Sequence, residues 1–142
     1  MRVPSGDAAG DASGGAPAAV PAHEPAPPGA WKGRAVAELT GARARLVRML
    51  ERLDEDTLRA QHSPLMSPIA WDVAHLANYE EQWLLRALGA PALTGPELDA
   101  LYDAPRHPRA TRAHLPLLAP AQALDYAARV RQASLAWLRA LP

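Results

Sequence analysis

Apolar residues recur along most of this chain at helical spacing. Between Trp31 and Leu53 they fall at Val36, Leu39, Leu46, Leu50 and Leu53. Steps of three, four and seven place them on one stripe of an α-helix. Arg43, Arg45, Arg48 and Arg52 fall mostly off that stripe, and Asp54 or Asp56 stands ready to cap a short turn after it. A second pattern opens at Ser67-Pro68, a capping hydroxyl before a proline at the first helical position, with Asp72 in the first turn. Ile69, Val73, Leu76, Leu84 and Leu88 supply much of its apolar face, and Trp71, Trp83 and Leu85 widen it. That helix is therefore expected to be buried on more than one side. Gly89 can take the left-handed terminal conformation, and Pro91 prevents continuation.

The connection Ala92–Ala119 is long. Gly95-Pro96-Glu97 can open a short helix through Leu98, Leu101 and Tyr102, and Leu115, Leu117 and Leu118 favour an ordered loop packed on the bundle. Pro120 then opens a last helix running to about Leu141, striped by Leu124, Ala127, Val130, Leu135, Leu138 and Leu141. Three long amphipathic helices without a strand pattern predict an all-α helical bundle. Met1–Ala30, rich in Ala, Gly and Pro and lacking any periodic apolar pattern, reads as a disordered tail. The folded domain would then be 31–142.

Composition narrows the chemistry. With no cysteine, thiolate ligands and disulfides are excluded, so a metal site would use His and carboxylate. Formal net charge is +0 and no basic block occurs, which argues against nucleic acid as a partner. No segment reads as a membrane span or a signal peptide, and a cytoplasmic setting is expected. Lys32 is the only lysine among 15 basic residues. Such arginine bias suggests GC-rich coding and weakens any inference from a single arginine.

His75 is the first chemical candidate. Trp71 lies one turn back on its face, and Asn78 and Tyr79 one turn forward. A histidine so placed can ligate a metal through one ring nitrogen while the other is held. A hydrogen-bonded structural histidine fits the same spacing, because a metal needs about three protein ligands. His62 reads as a loop residue. Glu80 and Glu81 read as a solvated pair, with Glu80 able to face inward. Arg109 and Arg112 could clamp an acidic substrate, or simply be exposed.

The string Gln61-His62-Ser63-Pro64-Leu65-Met66-Ser67-Pro68, followed by Trp71-Asp72-Val73-Ala74-His75-Leu76 and Glu80-Glu81-Gln82-Trp83-Leu84-Leu85-Arg86, resembles the DinB-like domain of the ergothioneine-forming sulfoxide synthases (EgtB, hercynine oxygenases). The similarity continues through Leu101-Tyr102-Asp103-Ala104, His107-Pro108-Arg109 and Leu115-Pro116-Leu117-Leu118. It implies a DinB-like bundle of four helices. It also implies Fe(II) held by three histidines, with His75 as the first ligand and Arg109 and Arg112 as substrate-binding residues. The implied reaction joins the thiol of γ-glutamylcysteine, or cysteine, to the imidazole of hercynine with O2.

The resemblance places two further ligands in a His-x-x-x-His-x-Glu motif on the fourth helix, which does not occur before Pro142. From this the chain is expected to be a fragment, inactive alone, with no catalytic residue assigned and an exposed groove that promotes self-association. The alternatives are a stand-alone DinB-like metal-dependent thiol S-transferase, a partner-binding helical module, or a remnant without function.

Overall fold

Helix α1 spans Ala30–Leu50, α2 Glu55–Arg59, α3 Ile69–Glu80, α4 Pro96–Leu101 and α5 Pro120–Ala140. The computed structural model describes residues 29–142, so the expected tail lies, up to residue 28, outside the described residues. Among the described residues there are helices and no strands, which is the all-α architecture the periodicity predicts. None of these helices is long and apolar enough to cross a membrane.

The core lies between α3 and α5. Trp71, Val73, Ala74 and Ala77 meet Ala123, Tyr126, Ala127 and Val130, all 3% exposed or less. Small residues at four of these positions let the two helices approach closely, and two large aromatic rings fill the remaining volume. Helix α1 also packs on α5, but of its own residues only Leu50 is buried. Between α1 and α3 runs an open groove of about 360 Å³, walled by Leu46 and Leu76 and floored by Arg43, Glu80 and Arg131.

Several local signals act as expected. Asp54 caps α2 by accepting from the Thr57 N–H at 2.7 Å. Pro96 opens α4 and Pro120 opens α5. Leu115, Leu117 and Leu118 pack against the core. Gly89 takes φ 83°, the left-handed stop.

The long helix expected from Pro68 to about Leu88 departs from its prediction in three ways. It starts at Ile69, because the Ser67 hydroxyl accepts from Arg112 at 2.7 Å and caps nothing. It does not remain α-helical: Glu81–Leu85 forms a π turn and Arg86–Leu88 a 3₁₀ turn. The wider π turn carries Glu81 and Leu85 inward together and leaves Trp83 between them outside. Trp83 is 73% exposed, Leu76 53% and Leu88 42%, so three residues expected on the buried face are not core.

Candidate functional site

Trp71, His75 and Tyr79 follow one another in a column at intervals of four on α3, with His75 stacked on Trp71 and Tyr79 tilted against it. Trp71 and His75 are 4.5 Å apart at 20°, and His75 and Tyr79 are 4.1 Å apart at 56°. The Arg112 guanidinium closes the column, 3.7 Å over the Trp71 ring. Cation–π attraction adds to the packing there. These contacts confine the His75 ring to one plane.

Its tautomer is set by a hydrogen bond. His75 Nδ1 lies 2.7 Å from the Tyr102 carbonyl. A carbonyl can only accept, so Nδ1 carries the proton and the Nε2 lone pair is left available. Tyr102 is itself held: it is fully buried, and its hydroxyl accepts from the Leu118 N–H at 2.9 Å. Burial pushes its hydroxyl pKa up, and that hydrogen bond partly offsets the shift.

Two carboxylates follow this column along the chain, Glu80 half-buried and Glu81 fully buried. Glu80 accepts from Arg131 at 2.7 and 2.6 Å and from Arg43 at 3.0 Å, tying α3 to α5 and α1. Burial alone would raise its pKa, but hydrogen bonding and charge from Arg131, with the charge of Arg43, hold it below the usual carboxylate range. Arg131 also donates to the Leu39 carbonyl on α1. Glu81 is fully buried, and both its oxygens are used. One accepts from Arg86 and from the Leu93 and Thr94 N–H groups; the other accepts from the Tyr126 and Thr94 hydroxyls. These bonds outweigh burial and lower its pKa as well. Arg86 continues to Asp99 at 2.6 Å, and Asp99 accepts from Asn78 at 2.7 Å.

The solvated pair expected at Glu80 and Glu81 is therefore a pair of structural carboxylates. Arg43 and Arg131, the partners of Glu80, lie 37 and 51 residues away, and Tyr126, a partner of Glu81, lies 45 away, so no local pattern could name them. Arg86, five residues on, was the one nearby signal.

Arg109 and Arg112 occupy different environments. Arg109 is exposed, and Gln61 fastens its loop by donating to the Arg109 carbonyl at 2.8 Å. Arg112 is buried and donates to the His107 carbonyl, the Ser67 hydroxyl and the Ala104 carbonyl. Burial, with the nearby charge of Arg109, lowers its pKa. The remaining described histidines stand apart from His75. His62 Nε2 donates to the Thr57 carbonyl and His107 Nε2 to the Ala100 carbonyl, while His114 is exposed.

As a metal centre the described residues are incomplete. His75 has the free Nε2 and the backbone-held Nδ1 of an imidazole ligand. Yet no group of three or more His, Asp or Glu residues able to hold a metal occurs among the described residues. The donor set fits one ligand of a site and does not fit a whole one.

Residues 38–142 match the sequence profile of the DinB superfamily, and the chain belongs to that superfamily. Within it, the chain is similar to hercynine oxygenases. It is 50% identical over 106 residues to that of Mycobacterium tuberculosis, a match covering 73% of this chain and 25% of the relative. It is 50% identical over 107 residues to that of Mycolicibacterium thermoresistibile, covering 74% and 24% respectively. For Mycolicibacterium smegmatis the identity is 48% over 107 residues, covering 74% and 25%. The chain thus spans about a quarter of the length of the curated relatives it matches.

Proposed function

We propose that this chain is the DinB-like helical portion of a hercynine-oxygenase-type enzyme of ergothioneine biosynthesis, acting together with polypeptide corresponding to the three quarters of its relatives that it does not match. The observation that carries this is His75, with Nδ1 fixed on the Tyr102 carbonyl and Nε2 free, inside the stretch that is about half identical to hercynine oxygenases. In this role His75 Nε2 is one of the imidazole ligands of Fe(II), and the rest come from outside the described residues. Iron, when bound, would supply activation of O2.

The chain's own residues have simpler duties. Trp71 on one side and Tyr79 on the other hold the His75 ring against rotation. Arg109, exposed on an anchored loop, is free to pair with a carboxylate of γ-glutamylcysteine or cysteine. Arg112 holds the Ser67 turn and Trp71, so it shapes the substrate-binding loop more than it reaches out of it. The net change consumes thiol, hercynine and O2 and yields a thioether sulfoxide and water. A C–S bond forms, the sulfur gains one oxygen atom, and O2 accepts four electrons.

The test is reconstitution. The chain is co-expressed with the unmatched portion of a hercynine oxygenase, supplied with Fe(II), hercynine, γ-glutamylcysteine and O2, and the sulfoxide is followed by mass spectrometry. Product is expected with the wild-type chain and none with His75→Ala. Isothermal titration should show no tight stoichiometric Fe(II) binding to the chain alone. Tight binding to the isolated chain, abolished by His75→Ala, would instead point to a self-contained metal protein.

A further inference from the structure

We propose that Asp99 is a positioning residue for His75, acting through the backbone of α4. This rests on His75 being the working imidazole. Asp99 and Tyr102 are three residues apart, on one face of α4, and they face Asn78 and His75, three apart on α3. Asp99 Oδ1 accepts from Asn78 at 2.7 Å and Oδ2 from Arg86 at 2.6 Å. One turn on, the Tyr102 carbonyl accepts from His75 Nδ1. Two rungs therefore join the helices: the Asn78–Asp99 bond, whose carboxylate also pairs with Arg86 beyond the end of α3, and the bond that sets the tautomer.

Helix α4 has only six residues, none of them fully buried, with Leu98 and Leu101 resting partly buried on the core. A helix this short does not hold itself, so its position depends on what fastens it. The Tyr102 side chain is anchored by packing and by Leu118, but the direction of its carbonyl follows the last turn of α4, where the Tyr102 N–H bonds to the Leu98 carbonyl. Losing the Asp99 rung loosens that turn, and His75 is then free to exchange tautomers and lose its outward Nε2 lone pair.

The experiment uses the metal-free chain with ¹⁵N-labelled histidine at about pH 8.5, above the ordinary imidazole range. Two-bond ¹H–¹⁵N correlations report each tautomer. In the wild type His75 should be a single Nδ1–H form. In Asp99→Ala it should become a mixture in which Nε2–H prevails. Leu50→Ala lowers the melting temperature by removing core away from α4, and it should leave the His75 signal unchanged. A folded Asp99→Ala chain that keeps His75 wholly as Nδ1–H overturns the proposal.

Should Asp99→Ala not fold, Asp99→Asn decides. It keeps an acceptor for Asn78 but loses the charge on Arg86, so a smaller shift in the same direction is expected. An unshifted His75 signal there is equally fatal. Neither outcome touches the ligand role of His75, which stands or falls on reconstitution with Asp99 intact.

Discussion

The Tyr126 hydroxyl donates to Glu81 at 2.7 Å, joining α5 to the π turn that follows α3, with both side chains essentially excluded from solvent. Burial pushes the Tyr126 hydroxyl up to about 12, from an ordinary value of 10.0. A group whose folded pKa is raised stabilises fully below its unfolded pKa and loses that contribution as pH rises. The melting temperature should therefore decline between pH 10.0 and about 12. Tyr126→Phe should lower stability at neutral pH by about 1.5–3 kcal/mol, the range for a hydrogen bond to a charged group. It should also flatten the alkaline decline. Calorimetry across pH 7–12, with phenolate absorbance as the second signal, checks both.

On the acid side the sign reverses. Glu80 and Glu81 both have folded pKa values below the ordinary 4.5. Their contribution is complete above 4.5 and disappears as pH falls through the lower folded values. Stability should hold down to about pH 5 and then drop steeply. Glu80→Gln should lose part of that dependence, seen as a shallower acid limb in circular dichroism.

Glu80 itself neutralises two arginines that are 13% exposed. Removing it leaves both cations without a counter-ion, which costs about 3–5 kcal/mol. Replacing all three with packed apolar residues, Arg43→Met, Glu80→Leu and Arg131→Met, should be far milder than Glu80→Ala. Denaturant titration of the triple and single variants tests this ordering.

Arg109 and Arg112 should separate cleanly. Arg112→Lys loses the planar fork over Trp71 and should destabilise by roughly 2 kcal/mol. Arg109→Ala should change stability by no more than about 0.5 kcal/mol, and its effect should appear in reconstituted turnover as weakened thiol binding. Melting curves and substrate titrations on the same two proteins check the division.

Much of the fold was legible because its determinants are local. Apolar spacing marked α1, the long helix and α5, and proline and glycine marked where they start and stop. What stayed hidden depends on distant partners. Two adjacent acids on a helix read as solvated because nothing nearby shows that Arg131 will reach Glu80 or that Tyr126 will reach Glu81. Arginine bias hides single arginines, yet Arg43, Arg86, Arg112 and Arg131 are all committed to partners within the protein. Ser67 looked like a cap because a serine before a proline usually is one, and only the fold brings Arg112 to compete for its hydroxyl. Of the site, the helical face around His75 could be read directly, whereas the Tyr102 carbonyl that fixes its tautomer is a backbone atom 27 residues away.

The sparse attachment of α1 gives the molecule an internal hierarchy. Beyond Leu50 and the partly buried Leu46, α1 is held by polar latches: Arg43 to Glu80, Arg131 to the Leu39 carbonyl, and Lys32 to the Leu141 carbonyl. Segments with few apolar contacts open well below the global unfolding free energy. Amide protons of α1 should thus exchange with solvent while those of α3 and α5 remain protected. Opening of that kind would widen the groove beside α1 without unfolding α3, the helix that carries His75.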